Sequence, residues 1–336
     1  MEKKSILFRT SGGKSSKREL GLGHIFRCIN LAKMLKKNNI EFLIEDFGTV
    51  KKKLNDNGFK KISTVKPEIN LIEDIDSTIS LIKKNKIDIV IVDKYKTKKQ
   101  YISQIKKIVP VVYISDLFLV KYPSNLLVNG FIGFKNEMIR NENQTMLLGP
   151  NFQILDPRFQ ESIKELEKYD ILATFGGIDE SKNFEFFLES IEKISKKLNV
   201  KCILGSGTKK SKKIIKFQKK SYHNIKIIQH SNNMKKEIAS CKFGFCSGGI
   251  TSYEFALMRK PFAIISQNKH QLITAREWEK KKIAINIGQA NKKNAKKLHD
   301  ILEKISENNI PKFSNKKFVD GKGAQRIAKK IMKILN

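Results

Sequence analysis

The stretch FGFCSGGITSYEFALM, residues 243–258, decides how the chain folds. Phe243–Cys246 is a short apolar run and predicts a buried strand. Ser247, Gly248 and Gly249 interrupt it, and Thr251–Met258 continues with helical patterning. A strand that enters a glycine loop and then a helix leaves the first N–H groups of that helix unpaired, with the helix dipole behind them. Such a terminus favours a phosphate. Glu254, one turn into the helix, can accept hydrogen bonds from a ribose diol. This is not a P-loop, because no Gly-Lys-Ser/Thr follows at the required spacing. The same residues also suit a plain helix cap with a carboxylate near the dipole.

Outward from this unit, strand and helix alternate. Downstream lie a strand at Phe262–Ser266, a helix at Leu272–Lys281 and a closing amphipathic helix at Gly323–Leu335. Upstream, strands are expected at Ile171–Phe175, Lys201–Leu204 and Ile225–Gln229, with helices at Phe184–Leu198 and Lys209–Lys220. The first half repeats the alternation. It has strands at Ile6–Arg9, Ile40–Ile44, Asp88–Asp93 and Val111–Ser115, and helices at His24–Lys37 and Ile75–Lys84. Continuous β-branched runs of this kind belong to parallel sheets covered on both faces. Two such series predict an α/β protein of two doubly wound, Rossmann-like domains facing a cleft, with ligands at the carboxyl ends of the strands. The expected boundaries are 1–150 for the N-terminal domain, 151–168 for a connector carrying Pro157, and 169–322 for the C-terminal domain.

Composition narrows the function. The 336 residues include 67 Lys+Arg against 33 Asp+Glu, a formal net charge of +34. That excess favours phosphates, nucleic acids or anionic membrane surfaces over cations. No apolar run approaches the roughly 20 residues of a membrane-spanning helix, and the N-terminus reads as a strand rather than a signal peptide. Cys28, Cys202, Cys241 and Cys246 are scattered, which argues against a disulfide framework or zinc site and for a reducing cytoplasm. His223, His230, His270 and His299 lack ligand-like spacing, so no metal is expected. No nucleic-acid fingerprint accompanies the charge, so no nucleic-acid partner is expected.

Other motifs fall at predicted strand ends. Gly21-Leu22-Gly23-His24 leads into Arg27 at the start of a helix. Here glycine allows close backbone approach, and an imidazole suits a general base near neutral pH. The alternative is a helix cap, with Arg27 paired to a surface carboxylate. Gly176 and Gly177 follow another strand, and Asp179 can cap the next helix. Asp93 ends the strand Asp88–Asp93 and Tyr95 follows it, and Asp116 follows Val111–Ser115. Gln267, Asn268 and Gln271 surround the end of Phe262–Ser266.

The order of these motifs resembles the UDP-2,4-diacetamido-2,4,6-trideoxy-β-L-altropyranose hydrolases of pseudaminic acid biosynthesis and related spore-coat polysaccharide proteins. The resemblance runs from Gly21–Arg27 through Asp93, Tyr95, Asp116, Gly149–Phe159, Gly176–Asp179, Met234, Gly248–Glu254 and Gln271 to Asp320–Arg326. It implies a GT-B-type fold, with a UDP-sugar as substrate and no cofactor. It implies that His24 activates water and that Tyr95 lies beside the sugar. It places Gly249, Thr251 and Ser252 at the diphosphate and Glu254 at the ribose, with Asn268 and Gln271 lining the pocket. Gly23, Arg27, Asp93, Gly176, Gly177 and Gly248 complete the expected substrate contacts. A diphosphate held by N–H groups and cations needs no dedicated acid to leave.

The expected activity is hydrolysis of a UDP-linked diacetamido-trideoxyhexose to UDP and free sugar. The alternative is a glycosyltransferase of the same fold, in which an acceptor hydroxyl replaces water. The basic charge leaves weak association with an anionic membrane surface open. A non-catalytic binder fits His24 in its motif less well. The oligomeric state is not legible. The final helix, 323–336, is expected to pack back on the N-terminal domain.

Overall fold

The computed structural model describes residues 2–14, 19–45, 48–116, 118–164 and 167–336. The chain divides into two compact units: Met1–Pro157 with Gly321–Asn336, and Arg158–Asp320.

Unit 1 begins with β1 (Ser5–Thr10), a short pair β2 (Gly13–Lys14) and β3 (Glu19–Leu20), then α1 (Gly23–Met34) and β4 (Asn39–Glu45). It continues through α2 (Thr49–Asp56), β5 (Ile62–Val65), α3 (Leu71–Asn85), β6 (Ile89–Asp93), α4 (Lys99–Lys106) and β7 (Val111–Ile114). β8 (Leu126–Asn129), β9 (Glu137–Asn141) and β10 (Gln144–Leu148) end this run. The sheet order is β5-β4-β1-β6-β7-β8-β10-β9, parallel except for the β10–β9 hairpin.

Unit 2 contains β11 (Tyr169–Thr174), α5 (Asn183–Ile191), β12 (Asn199–Leu204), α6 (Lys212–Lys220), β13 (Asn224–Gln229) and α7 (Met234–Ala239). β14 (Cys241–Cys246), α8 (Ile250–Leu257), β15 (Phe262–Ser266), α9 (Lys269–Lys280), β16 (Ile285–Gln289) and α10 (Lys292–Ser306) follow. Its sheet is wholly parallel, in the order β13-β12-β11-β14-β15-β16. The last helix, α11 (Gly323–Leu335), belongs to unit 1.

Alternation along the strands builds a core on each sheet face, as a doubly wound fold requires. In unit 1, Ile6 and Phe8 pack with Ile25 and Ile29 of α1 and Ile327 and Ile331 of α11. Leu7, Val90 and Val92 face the other way, onto Ile75, Ile82, Ile102 and Ile105. In unit 2, Phe175, Phe184, Phe187, Phe243 and Phe245 fill one face. On α8, β15 and α9, Phe255 stacks on Phe262, and Trp278 meets Tyr253 and Phe262 edge-on.

One expected helix is shorter than its pattern suggested. Phe184–Leu198 was expected to be continuous, but α5 stops at Ile191. The buried His223 ring fixes the end: its Nε2–H donates to Ile191 O at 2.9 Å, and its Nδ1 accepts Leu198 N–H at 3.2 Å. Both ring nitrogens are thereby used in folding. Among the described residues no helix is long and apolar enough to cross a membrane.

Candidate functional site

In unit 1 the chemistry gathers where β6 and β7 end against the first turn of α1. No side chain caps that helix. His24 and Arg27 stand three residues apart and so share a face. Both reach Asp93, the last residue of β6. His24 Nδ1 lies 2.7 Å from Asp93 Oδ1. Arg27 grips the same carboxylate with two bonds, Nε to Oδ2 at 2.7 Å and Nη2 to Oδ1 at 2.6 Å. This bidentate geometry orients as well as attracts. Arg27 Nη1 also donates to Asp116 Oδ1 at 2.7 Å, which ties the end of β7 into the network.

The charges settle the imidazole's proton. Asp93 is completely buried, which alone would raise its carboxyl; the Arg27 guanidinium and the His24 ring oppose this and bring it down to about 2. An ionised carboxylate only accepts hydrogen bonds, so His24 Nδ1 carries the hydrogen toward Asp93, and in the neutral ring the lone pair then lies on Nε2. Arg27 Nη2, 3.0 Å from Nδ1, is then a close neighbour and not its donor. The His24 side chain is 21% exposed, so the ring is accessible while its partner is not. The arrangement is an imidazole backed by a clamped carboxylate. The Asp116 side chain is half exposed, so solvent screens its share of the clamp.

Tyr95 follows this cluster in the chain. It lies on the turn after β6, 43% exposed, with Lys96 Nζ 5.4 Å from its ring centre. Gly23 is the exposed first residue of α1.

In unit 2 the expected residues come from three adjacent strands. Gly176–Gly177 follows β11, Ser247–Gly249 follows β14, and Gln267–Asn268 follows β15. The loops approach closely: a Cβ on Gly176, whose φ is +83°, would stand 3.5 Å from Ser247 Oγ and 3.8 Å from Gln267 Nε2. On Gly248 a Cβ would meet Gln271 O at 2.5 Å, so the glycine is needed for the loop to pass α9. Gly249 differs. A Cβ there would meet nothing within 4 Å, which leaves its backbone approachable at the uncapped N-terminus of α8. Thr251 is half-buried in the first turn, and Glu254 is buried one turn on, close enough to Cys246 to help burial push that thiol well up.

Three of the expected residues make hydrogen bonds within unit 2. Ser252 was placed at the diphosphate, but its side chain is fully buried. Its hydroxyl donates to Gly249 O at 2.7 Å and accepts Trp278 Nε1–H at 3.1 Å. Its helical position turns it inward, so it braces the loop from behind. Asn268 caps α9, its Oδ1 accepting Gln271 N–H at 3.0 Å, and Gln271 Oε1 accepts Gln267 N–H at 2.9 Å. These two oxygens shape the crevice edge.

The loop after β12 makes a further close approach. Gly207 N–H donates to Gly177 O at 2.9 Å, and a Cβ on Gly205 would collide with the Gly176 and Gly177 carbonyls. The signal was there to read: Gly205-Ser206-Gly207 is a second G-x-G directly after a strand.

With this geometry established, likeness to known proteins is informative. Residues 171–331 match the glycosyltransferase family 28 C-terminal domain. The chain is 28% identical over 273 residues to the uncharacterized protein MJ1062 of Methanocaldococcus jannaschii, covering 75% of this chain and 54% of that protein. It thus spans about half the length of that relative. It is 25% identical over 287 residues to the spore coat polysaccharide biosynthesis protein SpsG of Bacillus subtilis, covering 80% of each. Among solved structures, Acinetobacter baumannii MurG aligns with a TM-score of 0.63 at 14% identity, over 98% of this chain and 99% of that one. The UDP-GlcNAc 2-epimerase of Neisseria meningitidis, bound to UDP-GlcNAc, aligns at 0.60 with 12% identity, over 98% and 100%. The protein has the two Rossmann-like α/β units of GT-B glycosyltransferases and epimerases.

Proposed function

We propose that the protein is an enzyme acting on a UDP-linked sugar, breaking the bond between the anomeric carbon and the diphosphate. In this reading Gly249 and Thr251 meet the diphosphate and Glu254 meets the ribose. His24 Nε2 takes the proton of the incoming nucleophile, and Asp93 stabilises the imidazolium that forms. The observation that carries the reading is the 2.7 Å His24–Asp93 contact, with Asp93 held ionised by Arg27. The reaction is balanced without another group: the nucleophile's oxygen bonds to the anomeric carbon, UDP leaves with the electron pair, and the proton passes to His24.

The match to a glycosyltransferase C-terminal domain favours an acceptor hydroxyl as nucleophile, and so a glycosyltransferase of surface polysaccharide synthesis. A second reading has water as the nucleophile and a diacetamido-trideoxyhexose as the sugar. It is supported by the motif series from Gly21–Arg27 to Asp320–Arg326. Phosphorus-31 NMR with a panel of UDP-sugars separates the two. UDP released without acceptor, and lost in His24→Ala, means hydrolysis. UDP released only when an acceptor alcohol is added means transfer. No release under either condition, with UDP itself bound, would remove His24 from any catalytic role.

A further inference from the structure

Arg9, Asp74 and Glu45 lie buried on the opposite sheet face from His24, with the partly exposed Lys94 beside them, outside the chemistry described so far. Arg9, near the end of the central strand β1, is completely buried. Its Nε donates to Asp74 Oδ1 at 2.8 Å, its Nη1 to Thr10 O at 2.8 Å and its Nη2 to Glu45 Oε1 at 3.3 Å. Lys94, the residue after Asp93, sends its Nζ to Asp74 Oδ2 at 2.5 Å and stands 3.6 Å from Glu45 Oε1. The same ammonium sits 5.5 Å from the ring centre of buried Tyr101. The Tyr101 hydroxyl and Thr78 Oγ1, 2.8 Å apart, extend the network to the Asp74 carbonyl. The quartet balances two cations against two carboxylates.

Stability alone does not account for such a cluster. Desolvating four charges costs about as much as their attraction returns, and apolar replacements of buried ion clusters are often neutral or stabilising. Its location is more telling. Consecutive residues at a strand end point to opposite faces. Asp93 is therefore clamped from one side by Arg27 and His24, and Lys94 from the other by Asp74 and Glu45. Beyond them the chain turns tightly, with Lys96 at a φ of +52° and Thr97 Oγ1 donating to Lys94 O at 2.9 Å. Tyr95 is carried at the tip of this turn.

We propose that Arg9 and Lys94 are positioning residues: with Asp74 and Glu45 they anchor the Asp93–Thr97 turn and hold Tyr95 at the place where the sugar of the donor lies. The role for the sugar rests on the function proposed above; the anchoring of the turn does not.

The test is the double variant Lys94→Met/Glu45→Gln, which removes one cation and one carboxylate and leaves the Arg9–Asp74 pair intact. Fluorine NMR of protein labelled with 3-fluorotyrosine reads the turn directly, the Tyr95 signal being assigned with Tyr95→Phe. The expected result is a Tyr95 signal that broadens or splits and a Tyr101 signal that shifts with the loss of its ammonium neighbour, while the remaining tyrosines and the thermal midpoint hold. With it, kcat for UDP release falls about tenfold to 10²-fold, as small misplacements at a reacting centre do, and UDP affinity stays constant. A sharp, unshifted Tyr95 signal overturns the proposal. Should the double variant fail to fold, Lys94→Gln is measured the same way, and an unchanged Tyr95 signal overturns it equally. If the wild type releases UDP from no donor, the proposed function fails, while the fluorine signal still decides the anchoring.

Discussion

A carboxylate at the end of a parallel strand is an ordinary feature of α/β sheets, and Asp93 gains its meaning from its partners. Arg27 fixes both of its oxygens, which holds the Nδ1 edge of the His24 ring in one orientation. Removing the imidazole with His24→Ala is expected to lower turnover on the order of 10²–10⁴-fold, with an unchanged thermal midpoint; a smaller loss in steady-state assays would assign the base elsewhere. The clamp also makes an acid-stability prediction. The Asp93 carboxyl sits near 2 when folded and near 3.9 when unfolded. Its contribution, about 2–3 kcal/mol, is therefore complete above about pH 5 and fades as pH falls through about 2. Urea titrations across that window should show this component in the wild type and lose it in Asp93→Asn; equal slopes would contradict the depressed carboxyl. His24, Arg27 and Asp93 were each legible as candidates, since each stands at a predicted strand end or helix start. Their pairing was not, because 66 to 69 residues separate Asp93 from the other two and local spacing carries no such information. Arg9 was hidden more completely: inside a strand run, a charged residue gives no sign of whether its partner is solvent or a buried carboxylate.

Among elements, the β14–loop–α8 unit shows what a pattern reveals and what it conceals. The strand and helix were legible because a buried parallel strand is a continuous apolar run and the glycines punctuate it. β5, β16 and the β9–β10 hairpin were not. β5 has no buried residue and β9 is exposed throughout, so neither gives a periodic signal; β16 buries only Ile287 and β10 only its last two leucines, and the wholly buried β8, unread as well, is a run of four. Within the loop, two neighbouring glycines looked alike and have different duties. Gly248→Ala pushes a methyl group against the Gln271 backbone and should lower the thermal midpoint. Gly249→Ala meets open space, so the midpoint should hold. If the diphosphate approaches the backbone there, UDP affinity should still fall about tenfold, the equivalent of one lost hydrogen bond. Calorimetric titration of UDP into both variants, beside their melting curves, separates packing from binding. Unchanged affinity in Gly249→Ala would place the phosphate away from this turn.

At the scale of the whole molecule, the long return of the chain ties the fold of unit 1 to residues far away in sequence. α11 buries Ala324, Ile327, Ala328 and Ile331 in the same core as Phe8 and Ile29, and Arg326 Nη1 donates to Asn151 O at 3.0 Å. A Cβ on Gly323 would strike the Gln153 carbonyl, so the helix starts in contact with the segment that ends the first run of unit 1. The periodicity of Gly323–Leu335 announced an amphipathic helix but could not say which core its apolar face would join. Isoleucine removal tests the assignment locally. Ile327→Ala or Ile331→Ala should cost about 2–5 kcal/mol, the transfer loss plus the cavity left behind. The cost should fall on the core that contains the helix. Hydrogen exchange should therefore show lost protection at amides of β1 and β6 while β11 and β14 keep theirs, because the unit 2 core shares no residue with that of α11. A uniform loss across both sheets would instead mean that the two units unfold as one cooperative body, and that the final helix stabilises unit 2 as much as the unit that carries His24.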